Sequence, residues 1–172
     1  MAKNNKRKAS KTNPVSLITL ADRTSPISEQ YRTIRTNIQF ATTNEQKIQT
    51  IVVTSSGPGE GKSTSSANLA VVFANAGQKV LLVDADMRKP TVFKTFRLTN
   101  TFGLSTLLST AKRLVEIRQE TAVENLFVLT SGPKPPNPSE MLGSPRMDQI
   151  IAEAKAEFDI VIFDMPPIVA VT

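Results

Sequence analysis

The residues best suited to chemistry are Lys62, Ser63 and three aspartates, Asp84, Asp86 and Asp164. Lys62 and Ser63 close the stretch Ser56-Gly57-Pro58-Gly59-Glu60-Gly61-Lys62-Ser63-Thr64, which holds three of the chain's seven glycines. An apolar run, Ile51-Val52-Val53, precedes it, and a helical run from Ala67 follows. Strand, glycine loop, lysine plus hydroxyl, helix is an arrangement that holds a nucleoside triphosphate. Loop N–H groups over Gly57–Thr64 turn toward phosphate, and the dipole of the next helix adds positive potential. Lys62 reaches the β and γ phosphates in such a loop, and the Ser63 hydroxyl serves Mg²⁺. Ser56 stands where the motif has its first glycine, but Gly57, Gly59 and Gly61 remain.

The aspartates end apolar runs. Val80-Leu81-Leu82-Val83 leads to Asp84-Ala85-Asp86, and Ile160-Val161-Ile162-Phe163 leads to Asp164. Runs this apolar fit parallel strands covered on both faces. Ligands of open α/β sheets bind at the carboxyl ends of such strands. There, Asp84 and Asp86 could hold Mg²⁺, or one could take a proton from an attacking hydroxyl. The plainer alternative is a pair of solvated loop acids with Arg88 as partner. Asp164 fits an acid of the Mg²⁺ shell, reached directly or through water.

Around these residues the expected fold is a P-loop NTPase-type α/β domain, a doubly wound and mainly parallel sheet with helices on both faces. Helices are expected at about 27–41, 62–76 with Gly77 as its stop, and 145–157. Short helical pieces fill 91–124, and strands are expected at about 50–55, 79–83, 126–129 and 159–163. Three regions follow: a basic disordered tail over 1–14, a connector and helix over 15–49, and the nucleotide-binding domain over 50–172. Only eight residues follow Asp164, so the domain is expected to be incomplete, with core surface and a sheet edge uncovered.

Composition narrows the function classes. The chain has 172 residues, a net charge of +6, no cysteine and no histidine. Thiol chemistry and histidine bases are excluded, which leaves carboxylates and lysines. Lys3, Lys6, Arg7, Lys8 and Lys11 carry most of the excess charge. The remainder is near neutral, so no nucleic-acid partner is expected. No apolar run approaches the ~20 residues of a membrane-spanning helix, and a cytoplasmic protein is the simplest expectation.

On the first helix, Ile27, Tyr31, Ile34 and Ile38 are spaced as one apolar face. Glu29, Arg32 and Arg35 form a polar stripe beside it. By spacing alone the stripe is an ordinary exposed face with a Glu29–Arg32 pair.

Taken together, these stretches resemble the bacterial tyrosine kinases of the capsular and exopolysaccharide type. Ser56–Thr64 is similar to that family's Walker A loop. Val83-Asp84-Ala85-Asp86-Met87-Arg88-Lys89-Pro90 resembles its second acidic motif, Walker A′. Phe163-Asp164-Met165-Pro166-Pro167 resembles its Walker B. Glu29, Arg32 and Arg35 match its Glu-x-x-Arg-x-x-Arg motif. The resemblance implies Mg-ATP-dependent phosphorylation of tyrosines. Lys62 would be the phosphate-binding lysine, Ser63, Asp86 and Asp164 the Mg²⁺ residues, and Asp84 a candidate base. It also implies ring-shaped oligomers built through Glu29, Arg32 and Arg35. A polysaccharide chain-length-type membrane adaptor would bring the protein to the inner face of the membrane. Two features depart from the family: Tyr31 is the only tyrosine, so the family's C-terminal tyrosine cluster is lacking, and the part after Walker B is short. A shortened scaffold or remnant without activity is one alternative. A partitioning or cell-division ATPase is another, but that class carries an additional lysine near the start of the loop, where Ser56 and Gly57 stand here.

Overall fold

The computed structural model describes residues 17–41 and 47–171. The basic segment 1–14 and part of the 42–49 loop lie outside the described residues.

Five strands form one sheet in the order β1-β5-β2-β4-β3. They are β1 (Thr50–Val53), β2 (Val80–Asp84), β3 (Gln119–Glu120), β4 (Leu126–Leu129) and β5 (Ile160–Asp164). All pair in parallel except β3, which pairs antiparallel with β4. The two-residue β3 was not expected, because two residues carry no readable period. β2 and β5 are buried along their whole length, as their unbroken apolar runs require. β1 stands at an edge, and its Val52 is 60 % exposed.

Alternation along the strands divides the core into two layers. Val80, Leu82, Val128, Ile160 and Ile162 face α3 (Lys62–Asn75), which is buried from Ser66 to Ala74. Leu81, Val83, Leu129, Val161 and Phe163 face the opposite layer. That layer includes α5 (Leu104–Ser109), α6 (Leu114–Ile117) and α8 (Pro145–Glu157). α4 (Val92–Thr95) and α7 (Pro138–Leu142) are single short turns between larger elements.

The connector before the first long helix contains α1 (Ile18–Ala21). Buried Asn68 ties it to α3: its Oδ1 accepts from the Thr19 N–H and hydroxyl, and its amide donates to the Thr64 carbonyl. α2 (Pro26–Phe40) starts as expected, with the Ser25 hydroxyl accepting the Ser28 N–H and Pro26 in the first turn.

Its inward face corrects the sequence expectation. Ile27 and Ile34 are 56 % and 45 % exposed, whereas Ser28 is fully buried and Tyr31 and Ile38 pack on the core. Hydrogen bonding explains the rotation. The Ser28 hydroxyl donates to the Asp22 carbonyl at 2.6 Å, and Arg35 donates to the Val72 carbonyl at 3.1 Å. A satisfied polar group can be buried at little cost, so spacing of isoleucines alone misplaces the face.

Candidate active site

Three neighbouring strands deliver the site at their carboxyl ends. β1 runs into the glycine loop, β5 ends in Asp164, and β2 ends in Asp84. Asp164 lies beside Val53 on one side and Asp84 on the other in the strand register. A fold with this strand order places the loop and the acids together without any contact between them in sequence.

The loop's geometry follows from its glycines. Gly59 and Gly61 have φ of 78° and 84°, a left-handed conformation that side-chain-bearing residues rarely adopt. Gly61 caps α3, so Lys62 and Ser63 occupy the first turn, where the helix N–H groups lack intrahelical partners. The Glu60 side chain folds back, and its Oε2 accepts the Ser56 N–H at 3.1 Å.

Lys62 Nζ contacts Asp86 Oδ2 at 2.9 Å, with both side chains nearly covered. The other Asp86 oxygen accepts the Lys89 N–H at 3.0 Å. The solvated-pair alternative for Asp84 and Asp86 does not hold: both acids are buried.

Asp84 is wholly buried. Its Oδ1 accepts the Asp86 N–H, and its Oδ2 accepts the N–H groups of Thr91 and Val92 at 3.2 and 3.1 Å. Burial, with Asp164 and then Asp86 adding repulsion, pushes its carboxyl up to about 7, against the pull of those two N–H groups.

Asp164 is buried with a different set of partners. Ser66 donates to its Oδ1 at 3.2 Å, while its buried Oδ2 has no hydrogen-bond partner. Burial raises its pKa, and the Ser63 hydroxyl, the Lys62 charge and Ser66 oppose the rise. A covered carboxylate oxygen without a donor suits a cation. Among the described residues no cluster of three or more acids could hold a metal alone. The donor set fits Mg²⁺, which takes one or two protein groups and fills its shell with phosphate oxygens and water.

The expected site residues thus converge, with Ser66 added. Its hydroxyl shares its single proton between Asp164 Oδ1 and the Lys62 carbonyl, one turn earlier, at 2.8 Å. A serine inside a helix gives no signal in sequence; only its position one turn after Lys62 could have marked it. Glu29, Arg32 and Arg35 lie apart, on α2. Arg32 pairs with Glu29, and Arg35 binds α3.

The chain is similar to known proteins over most of its length. An AAA domain family matches residues 48–172. The tyrosine-protein kinase YwqD of Bacillus subtilis (strain 168) is 53 % identical over 155 residues, which cover 90 % of this chain and 65 % of that protein. The tyrosine-protein kinase CpsD of Streptococcus agalactiae is 45 % identical over 141 residues, covering 81 % of this chain and 60 % of that protein. The solved kinase domain of the Escherichia coli tyrosine kinase ETK superposes with a TM-score of 0.85 at 32 % identity, covering 95 % of this chain and 64 % of that domain. The chain spans less than two thirds of the length of these curated relatives.

Proposed function

Because the chain belongs to the bacterial tyrosine-kinase family built on an AAA-type P-loop domain, we propose that it carries the phosphate-binding and metal-binding part of an ATP-dependent protein-tyrosine kinase acting in capsule or exopolysaccharide production. The observation that carries this reading is the meeting of Lys62, Asp86 and Asp164 at the ends of three adjacent strands, beside a loop bent by Gly59 and Gly61.

In this reading the backbone over Gly57–Thr64 cradles the phosphates; Pro58 lends shape but no N–H donor. Lys62 meets the β and γ oxygens. Ser63, Asp86 and Asp164 would hold Mg²⁺, which would supply positive charge to neutralise the charge developing on the transferred phosphoryl group. The γ-phosphorus breaks its bond to the bridging oxygen of ADP and forms one to a tyrosine oxygen, whose proton leaves. Asp84 is the candidate acceptor of that proton. Its pKa near 7 suits proton transfer at neutral pH. Its cover means that the 85–91 backbone must shift before a hydroxyl reaches it. Tyr31 packs against the core on α2, so the acceptor tyrosines are proposed to lie outside these 172 residues.

Two assembly features belong to the same proposal. A polysaccharide chain-length-type membrane adaptor docks the protein at the inner face of the membrane. Glu29, Arg32 and Arg35 serve ring formation. No helix among the described residues is long and apolar enough to cross a membrane.

Nucleotide titration with and without Mg²⁺ tests the reading. Lys62→Met is expected to weaken Mg-ATP binding at least about tenfold, the loss of one charge-assisted contact to phosphate. Equal affinity of Lys62→Met and the parent chain overturns it.

A further inference from the structure

Lys62 is the group that the proposed function sends to the phosphates, yet its Nζ is held by Asp86 Oδ2 at 2.9 Å. The two side chains are only 11 % and 7 % exposed, so water screens the pair poorly. Asp86 is also anchored through its own backbone and its second oxygen. Its N–H donates to Asp84 Oδ1, and its Oδ1 accepts the Lys89 N–H. The carboxylate therefore cannot simply follow Lys62 toward an incoming anion. When Lys62 turns to a phosphate, Asp86 stays behind as a covered negative charge, with Asp84 and Asp164 nearby.

This arrangement distinguishes two forms of one ligand. A polyphosphate without a divalent cation brings negative charge toward Asp86 while withdrawing its cation. A metal-loaded polyphosphate brings a replacement cation to Asp86 as Lys62 leaves. We propose that Asp86 is a specificity-determining residue that disfavours metal-free nucleotide by holding Lys62. This is distinct from its serving as a metal residue, and it rests on the nucleotide-binding reading above. A residue that acts only on the metal leaves metal-free affinity untouched. A residue that holds Lys62 lowers it.

The test measures binding of ADP, and separately of inorganic tripolyphosphate, to the 172-residue protein in EDTA and in Mg²⁺. Asp86→Asn retains an oxygen for the Lys89 N–H and removes the charge. Its expected effect is about a tenfold gain in affinity for both probes in EDTA, and a smaller ratio between Mg²⁺ and EDTA affinities. Asp86→Ser, which also removes the charge, is expected to move in the same direction and guards against a folding defect peculiar to one variant. Circular dichroism establishes that each variant is folded. Unchanged or weaker EDTA affinity in folded variants, with the parent chain binding Mg-ADP, overturns the proposal and leaves the nucleotide reading standing. Failure of the parent chain to bind either probe with Mg²⁺ overturns both.

Discussion

The carboxyl ends of β2 and β5 look alike in sequence and differ in what they can do. Each is a fully buried apolar strand closed by an aspartate, and Asp84 and Asp164 are partners in register. At β2, the carboxylate is consumed by the protein: three backbone N–H groups from the 86–92 segment use both of its oxygens. At β5, one oxygen has Ser66 and the other has no partner. The first aspartate holds a loop in place, and the second has an oxygen to spare. The lesson is that strand position brings an acid to the site, but the donors around it decide whether its oxygens are engaged by the backbone or open to a cation.

Opposite effects on stability would sharpen that contrast. Asp84→Asn presents an amide to N–H donors on one side or the other, leaving at least one buried donor unmatched. The expected cost at pH 5 is about 1–3 kcal/mol. The pH dependence carries its own sign. Burial pushes the folded Asp84 carboxyl up to about 7, well above the usual range of an aspartate. Its contribution is fully present at low pH and is lost as pH rises through about 7. Asp84→Asn lacks that slope, so its deficit relative to the parent chain is expected to shrink by pH 8. Urea unfolding from pH 4 to pH 8 measures this, and a deficit independent of pH breaks the assignment.

Asp164→Asn is expected to act in the other direction. It removes a buried charge beside Asp84 and takes nothing from a backbone donor. A gain in stability at pH 8 is expected, because burial disfavours the Asp164 charge and Asp86 repels it. The same variant is expected to lose most of the Mg²⁺ enhancement of ATP binding. A more stable chain with a poorer site is the signature of a residue kept for function. A variant destabilised as much as Asp84→Asn would show that the two strand ends do the same job.

Much of this site was legible because its parts are local. The glycines at 59 and 61, the lysine after them, and the apolar runs ending in acids are all patterns of neighbouring residues. The same holds for α8, whose start at Pro145 and end at Glu157 agree with the expected range. What was not legible depends on partners distant in the chain. Asp84 meets Thr91 and Val92 only after the loop folds back, and Ser66 meets Asp164 across 98 positions. Asn68 is buried because Thr19 is opposite. In each case a polar side chain sits inside because a donor or acceptor from elsewhere satisfies it, and hydrophobic spacing does not report such pairings.

The smallest expected effect tests the same rule on α2, far from the chemistry. Arg35 points inward and donates to the Val72 carbonyl, while Arg32 pairs at the surface with Glu29. Their spacing of three is identical to that between Glu29 and Arg32, so sequence treats them as one stripe. The structure treats them as two different residues. Arg35→Ala removes a donor from a partly covered helix contact and is expected to cost about 1 kcal/mol in urea unfolding. Arg32→Ala removes an exposed ion pair with Glu29 and an exposed hydrogen bond to the Arg23 carbonyl, and its unfolding midpoint is expected to stay close to that of the parent chain. Any change of assembly seen with Arg32→Ala is therefore attributable to contacts between copies, whereas Arg35→Ala mixes that effect with a loosened α2–α3 junction. Equal destabilisation by the two variants would mean that the inward turn of Arg35 carries no weight in solution.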